Sequence, residues 1–141
     1  MNLTRNQIEN IAEELESGMK VYLNIETMEI KTILDWDDNY LSSEDEWDDD
    51  LKEIENNFDK YIMFEKMDSR ESYRVMENFV DLVEDTELKN KLDLGLSLSK
   101  PFRNFKDIID SESEYREKWF QFKKQKYIEY VIEQIDFHNS K

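Results

Sequence analysis

The sequence predicts an α+β fold in which an N-terminal helix and a small antiparallel sheet are packed with a mostly helical C-terminal half. Apolar residues alternate with polar ones over 19–25, as in a half-buried strand. From Asp68 onward they recur every three or four positions, as on one face of a helix. At 141 residues the chain has the length of one domain. We expect residues 1–67 to hold the sheet and residues 68–137 to be helical.

The first half begins with an amphipathic helix. Thr4 and Gln7 form a capping-box pattern ahead of apolar residues at helical spacing. Gly18 follows, where its tolerance of a left-handed backbone suits the end of a helix. Glu26 and Thr27 mark the turn of a hairpin. Three strands are expected, over 19–25, 28–33 and 61–64.

The second half contains the patterns of four helices. Asp68 and Glu71 form a second capping box. The next helix begins at Asp85 or Thr86. Its Gly95 permits close packing of helices, since no phosphate-loop pattern surrounds it. Pro101 fits the first turn of a third helix, because proline lacks the N–H that this position leaves unbonded.

The last helix, residues 113–137, is apolar on two sides, as expected of a central helix that packs between two layers. Ser111 and Ser113 are its candidate N-caps. We expect Trp119 on this helix to be buried. One side holds Tyr115, Trp119, Phe122 and Tyr130, and the opposite side holds Phe120, Tyr127, Val131 and Ile135.

Composition excludes several classes of function. The net charge is −16, and residues 1–67 carry most of it, with six basic and nineteen acidic residues. Such a molecule should be repelled by nucleic acids and anionic lipids. The chain has no cysteine, which excludes disulfides and thiol chemistry. It has neither a secretion signal pattern nor an apolar stretch long enough to span a membrane, so we expect a cytoplasmic protein.

Nothing in the sequence selects a catalytic group, and we assign no catalytic residue and no required cofactor. The one histidine, His138, lies near the end of the sequence, where we expect a frayed helix end, and no nucleophile motif or glycine-rich phosphate loop occurs. The thirty-five carboxylates contain many pairs that could perform acid–base chemistry, and the sequence does not distinguish one pair from the others. A non-catalytic binding role is therefore the favoured hypothesis.

Residues 35–50 read DWDDNYLSSEDEWDDD, with nine carboxylates, no basic residue and two tryptophans. Tryptophan is favoured at the centres of interfaces, and a cluster of carboxylates steers a basic partner. Our leading hypothesis is an acidic loop that binds a protein with a basic surface, or that imitates nucleic acid. The candidate residues are Trp36, Trp47, Asp48, Asp49 and Asp50.

The same segment partly matches a calcium-binding loop. Asp35, Asp37, Asn39 and Glu46 stand at its positions 1, 3, 5 and 12, and supply the oxygen ligands that Ca²⁺ or Mg²⁺ prefers. Tyr40 occupies position 6, where the template needs glycine for a sharp turn. A cation-binding module is the second hypothesis, and a solvated acidic loop is the simpler interpretation.

Residues 100–127 combine aromatic and basic side chains, a mixture that can stack on bases and hold phosphates. A nucleic-acid binder is therefore the third hypothesis, although the net charge disfavours it. The simpler interpretation is that the aromatic residues are core and the basic ones are their solvated flank. The basic candidates are Arg103, Lys106, Arg116, Lys123 and Lys124.

Four segments carry a resemblance to a known family: KVYLNIETMEI, DSRESYRVMENFVD, KPFRNFKDII and EKWFQF. In this order they resemble Uncharacterised Protein Family 0158, a bacterial family, over roughly residues 19–122. Met28 stands where glycine is expected after Thr27 in the hairpin turn. The family has no established activity, so the resemblance implies the fold and assigns no catalytic residue.

Overall fold

The computed structural model describes residues 2–34 and 44–140, and the side chains within these ranges except those of residues 34 and 44–48. The described residues form six α-helices and one three-stranded antiparallel sheet, which confirms the α+β fold. The chain divides into two compact units. Unit 1 contains residues 1–66 and 127–141, and unit 2 contains residues 67–126. That the whole chain is a single domain stays a prediction.

The elements follow the predicted order. The strands are β1 (Met19–Asn24), β2 (Ile30–Leu34) and β3 (Tyr61–Phe64), and a short 3-10 helix (Phe58–Lys60) leads into β3. The helices are α1 (Arg5–Glu16), α2 (Glu44–Asn56), α3 (Ser69–Asp81), α4 (Thr86–Ser97), α5 (Pro101–Asp110) and α6 (Ser113–Asn139).

In unit 1, α1 begins at the predicted capping box. The Thr4 hydroxyl accepts the N–H of Gln7 at 3.1 Å, and the Gln7 side chain accepts the N–H of Thr4 at 2.9 Å. Gly18 has a φ of 92°, a conformation that glycine adopts readily, and β1 starts directly after it. The buried face of α1 consists of Ile11, Ala12 and Leu15.

The sheet has the order β2-β1-β3, so the central strand pairs on both sides. Val21 lies opposite Thr32 of β2 and Phe64 of β3. Val21, Leu23 and Phe64 are fully buried, as the alternation of apolar residues requires. The third strand therefore joins the predicted hairpin.

The β1–β2 connection is longer than the predicted Glu26-Thr27 turn, because it spans residues 25–29. The buried Asn24 organises it: its side-chain oxygen accepts the N–H groups of Glu26 at 2.8 Å and of Thr27 at 3.0 Å. Met28 has a φ of 64°, in the left-handed region. Glycine's preferred conformation thus occurs where the resemblance places glycine.

The second half of α6 belongs to unit 1. Gln134 binds the end of β3 through both atoms of its amide: its oxygen accepts the N–H of Glu65 at 3.2 Å, and its NH₂ donates to the Glu65 carbonyl at 3.3 Å. These two bonds connect positions 69 residues apart. The buried residues in this part of α6 are Tyr127, Ile128, Val131 and Ile135.

Unit 2 is helical, with a core shared by α3, α4 and α5. Asp68 and Glu71 form the predicted capping box of α3, and Asp85 caps α4 by accepting the N–H of Leu88. Tyr115, Trp119 and Phe122 of α6, among others, pack against this core. The core residues are Met76, Phe79, Val80, Val83, Leu88, Leu92, Leu96, Phe105 and Ile109.

Gly95 marks the close approach of α4 and α5, as predicted. A Cβ placed on this glycine would lie 3.1 Å from Cδ1 of Ile108 and 3.3 Å from Cβ of Asn104, tighter than ordinary van der Waals contact. The Asn104 side chain also donates to the carbonyls of Gly95 and Ser99, both at 2.9 Å. The small residue therefore allows the backbone of α4 to be bound directly by a side chain of α5.

Four expectations for single residues in this region were wrong. Trp119 is half-buried and packs against the core of unit 2, with its ring centroid 4.8 Å from that of Phe105. Phe102 of α5 is exposed, although its spacing with Phe105, Ile108 and Ile109 predicts one buried face. Phe120 is also exposed, so the second apolar side of α6 begins at Tyr127. Ser111 ends α5 instead of capping α6, because its hydroxyl donates to the Ile108 carbonyl at 2.8 Å.

Candidate functional site

Helix α2 carries eight carboxylates and one lysine among its thirteen residues. It begins at Glu44, so the acidic segment is helical from that residue, where we expected a loop. Carboxylates in the first turn are favourable beside the positive end of the helix dipole, which helps to explain the early start. Of the predicted residues, Trp36, Asp35, Asp37 and Asn39 lie outside the described residues.

The remaining predicted partner-binding residues follow one another on α2. Trp47 and Asp48 are residues of α2, and so is the predicted cation ligand Glu46. The Asp49 side chain is exposed, whereas that of Asp50 is half-buried. Of the side chains that the structure describes, Asp49 is thus the predicted residue most accessible to a partner.

Asp50 instead fastens α2 to the sheet through Lys31 of β2. The Lys31 ammonium lies 3.0 Å from Oε1 of Glu29 and 3.1 Å from Oδ1 of Asp50, and its side chain is only 15% exposed. Its hydrogen bonds to Glu29 and Asp50 raise the pKa of Lys31 above the ordinary value. Asp50 therefore has a structural partner within the chain.

A second group of contacts anchors the same helix. Tyr61 of β3 donates its hydroxyl to Oε2 of Glu53 at 2.8 Å, and Asn57 donates to Oε1 of Glu53 at 3.1 Å. Burial raises the pKa of the Tyr61 phenol, and the hydrogen bond to Glu53 acts in the same direction. Ile54, one residue further along α2, is buried. One side of α2 is therefore held against the sheet.

Exposed apolar side chains and exposed carboxylates occur along α2 and in the 3-10 turn that follows it. Phe58 is 76% exposed and Leu51 is 39% exposed. We call this region the α2 surface. It consists of Asp49, Leu51, Glu55, Phe58 and Asp59, of which each is exposed.

The spacing of Leu51, Ile54 and Phe58 in the sequence predicts one buried helical stripe, but only Ile54 is buried. The helix ends at Asn56, so Phe58 lies in the 3-10 turn that follows, outside the α-helical spacing. Asn56 and Asn57 just before it are the signal of this break in the sequence, since asparagine favours turns over helix interiors.

The predicted basic and aromatic residues lie on α5 and α6 of unit 2. Arg103 and Lys106 are exposed, and Lys123 and Lys124 are half-buried. Arg116 pairs with Asp110 at 3.2 Å. It also places Cζ 4.8 Å from the centroid of the Phe120 ring, a cation–π contact.

Two further lysines of α6 lie over aromatic rings of the same helix. Lys118 is 4.8 Å from the centroid of Tyr115, and Lys126 is 5.4 Å from that of Phe122. Each pair is three or four residues apart, the spacing at which helix side chains meet. Several cationic side chains of α6 therefore contact aromatic rings of the same helix.

Unit 2 also contains an open groove of about 290 Å³. Its lining combines apolar and polar surface in nearly equal parts, and its two charged lining side chains are those of Lys118 and Glu84. The aromatic and aliphatic residues among the lining residues can contact an apolar side chain or a small apolar group. Its lining residues are Phe79, Leu82, Val83, Glu84, Tyr115, Lys118 and Phe122.

Among the residues described, no group of three or more His, Cys, Asp or Glu side chains could hold a metal ion. Three of the four predicted cation ligands lie outside that part of the chain, so the calcium or magnesium site stays a prediction. No described helix is both long and apolar enough to cross a membrane.

The sequence model of the Uncharacterised protein family (UPF0158) matches residues 39–140. The chain belongs to this family. The UPF0158 match extends from before α2 through α6 and includes KPFRNFKDII and EKWFQF, the segments on which the resemblance mainly depended. The β1–β2 hairpin precedes it. A search of curated proteins and a search of solved structures found no match.

Proposed function

We propose that this protein is a non-catalytic binding domain of the bacterial cytoplasm that uses the α2 surface to bind a basic surface of another protein. The observation that carries the proposal is Phe58, an aromatic side chain exposed beside an acidic helix. Large aromatic side chains contribute much of the binding energy at interface centres. Surrounding carboxylates attract a basic partner and select against an acidic one.

The contacts under α2 support this proposal, because they hold the surface in place before a partner arrives. Lys31 binds Asp50 on one side, and Tyr61 binds Glu53 one turn later. A surface already ordered in the free protein loses less conformational entropy on binding. Asp49, Glu55 and Asp59 remain exposed for contact with basic groups.

The experiment uses a helical peptide of leucine and lysine as a defined basic partner, titrated into the full chain by calorimetry. Phe58→Ser should weaken binding about tenfold, which corresponds to about 1.4 kcal/mol and is typical of an interface anchor. The double variant Asp49→Asn, Glu55→Gln should also weaken binding. It should flatten the salt dependence, because fewer charge pairs remain to be screened.

Matched controls come from α6 of the same unit. Phe137→Ser removes another exposed phenylalanine, and Glu133→Gln with Asp136→Asn removes two other exposed carboxylates. These variants should bind the peptide like the unmodified chain. A Phe58→Ser chain with unchanged affinity, or an equal loss in Phe137→Ser, would contradict the proposal.

A further inference from the structure

A second exposed apolar region lies in unit 2, at the corner between α4 and α5. Leu94 is 60% exposed, Leu98 is 54% exposed and Phe102 is 42% exposed. All three fall within nine consecutive residues, on either side of the turn at Lys100. Exposed apolar residues grouped in this way, and rimmed by polar ones, are typical of protein interaction sites.

The charge around this corner is opposite to that of the whole chain. Residues 89–106 contain five basic residues and one acidic residue, in a chain of net charge −16. Lys100, Arg103 and Lys106 are exposed, and none of them forms an ion pair with a residue that the structure describes. We call this region the α4–α5 surface: Leu94, Leu98, Lys100, Phe102, Arg103 and Lys106.

The α4–α5 surface has the character that the proposed function requires of a partner. The α2 surface combines exposed Leu51 and Phe58 with exposed carboxylates, and the α4–α5 surface combines exposed leucines and Phe102 with basic residues. Apolar residues can pack together at the centre while opposite charges meet at the rim. One kind of chain thus carries both halves of a complementary interface.

We propose that the occupant of the α4–α5 surface is the α2 surface of a second copy of this chain. The inference rests on the proposed function, since it names a partner for the same α2 surface. Two different surfaces meet, so the contact is heterologous and either closes on itself or propagates. The exposed apolar residues are few, which places the association in the weak, transient class of interfaces.

Salt should affect this association in two opposite ways. Two molecules of charge −16 repel each other at long range, and salt screens this repulsion. The complementary charges attract at short range, and higher salt weakens this attraction as well. Association should therefore be strongest near about 0.1–0.15 M salt, where the screening length is about 8–10 Å.

Sedimentation velocity of the full chain over a range of concentrations tests the inference. The unmodified chain should show a sedimentation coefficient that rises with concentration. Asp49→Lys with Glu55→Lys makes the α2 surface basic, and Arg103→Glu with Lys106→Glu makes the α4–α5 surface acidic. Each double variant alone should associate at least tenfold more weakly. An equimolar mixture should regain association, because every surface again meets its opposite.

Two control variants carry the same charge changes elsewhere. Glu133→Lys with Asp136→Lys matches the first variant on α6, and Arg70→Glu with Arg74→Glu matches the second on α3. All four positions are exposed. The controls should associate like the unmodified chain, and their mixture should show no gain. Circular dichroism melts confirm that each variant is folded.

Three results would overturn the inference. The first is a chain that stays monomeric at every concentration and salt. The second is association that survives both charge reversals, since the contact then lies elsewhere. The third is a monomeric chain that sediments with phosphatidylglycerol vesicles unless Arg103 and Lys106 are reversed, which would assign the surface to a membrane. Leucine–lysine peptide binding that depends on Phe58 would leave the proposed function standing in each case.

Discussion

Met28 holds the β1–β2 connection in a conformation that is costly for any residue with a Cβ. Its φ of 64° lies in the left-handed region, which costs about 1–2 kcal/mol for an L-residue. Glycine adopts this conformation without that cost, whereas a β-branched residue tolerates it least. The Asn24 side chain and the strands on either side fix the turn, so they impose this conformation on Met28.

Substitutions at Met28 should therefore follow the order Gly, Met, Val in stability. Met28→Gly should raise the free energy of unfolding by about 0.5–1 kcal/mol, and Met28→Val should lower it by about 1 kcal/mol. Urea denaturation at neutral pH measures both changes. A Met28→Val chain as stable as Met28→Gly would show that the turn does not constrain this residue.

Lys31 and Tyr61 give unit 1 a dependence on alkaline pH. Bonds to Glu29 and Asp50 raise the pKa of Lys31, so the folded state holds this proton more tightly than the unfolded chain. The stabilisation is complete below the unfolded pKa of about 10.4 and is lost as pH rises through the folded pKa. Burial also raises the pKa of the Tyr61 phenol, so the stabilisation that the protonated phenol contributes begins to be lost above about pH 10.

The free energy of unfolding should therefore fall as pH rises above about 10. Lys31→Met should cost about 1 kcal/mol at pH 7, because the partner carboxylates are themselves partly exposed, and should show a smaller alkaline loss. Lys60→Met, which removes a more exposed lysine that pairs with Glu26, is the control. Identical pH profiles for Lys31→Met and the unmodified chain would refute this assignment.

At the scale of elements, α4 and α5 depend on a residue without a side chain. Alanine is usually better than glycine inside a helix by about 1 kcal/mol. At Gly95 the added methyl group would press on Ile108 and Asn104, and Asn104 is held by its own hydrogen bonds. We expect the steric cost to exceed the gain in helix propensity.

Gly95→Ala should lower the free energy of unfolding by about 0.5–1 kcal/mol net, because an overpacking cost of about 1–3 kcal/mol outweighs the gain of about 1 kcal/mol in helix propensity. The double variant Gly95→Ala, Ile108→Val should be more stable than the sum of its single changes predicts, because valine lacks the Cδ1 atom that the new methyl group meets. Chemical denaturation of the four chains gives this coupling. Stabilisation by Gly95→Ala alone would mean that the helices have room to separate.

The elements that sequence predicted well are those in which local chemistry and periodicity agree. The capping boxes at Thr4 and Asp68 predicted where α1 and α3 begin, and Gly95 predicted the close packing of a helix. The α2 surface could not be predicted in the same way. Whether Phe58 is buried depends on where α2 stops and on what lies beside it, and neither is fixed by spacing. The exposed fraction of Trp119 likewise depends on how much of its ring the neighbouring helices cover, which the spacing of residues in the sequence does not fix.

At the scale of the whole molecule, the net charge of −16 opposes compactness, because like charges repel more strongly in the folded state. Raising sodium chloride from about 0.01 M to 0.15 M should therefore raise the melting temperature by a few degrees, equivalent to about 1 kcal/mol. Calorimetry measures the shift. A lower melting temperature at higher salt would show that attractive charge pairs outweigh the net repulsion.

Divalent cations test the remaining hypothesis for residues 35–46. Calcium or magnesium chloride at matched ionic strength should stabilise the chain further, and with saturation, only if Asp35, Asp37, Asn39 and Glu46 bind the ion. Asp37→Ala with Glu46→Ala should then abolish the extra stabilisation. Equal shifts of the melting temperature in calcium chloride and in sodium chloride would show that charge screening accounts for the whole effect.

The bonds between Gln134 and Glu65 have a consequence for the order of events during synthesis. Unit 1 requires residues from both sides of unit 2 in the chain, because Tyr127 and the residues after it complete unit 1. Residues 67–126 are synthesised before residues 127–140, so every residue of unit 2 has been made before unit 1 is complete. Unit 2 can therefore form its final contacts first, because unit 1 is incomplete until the second half of α6 has been synthesised.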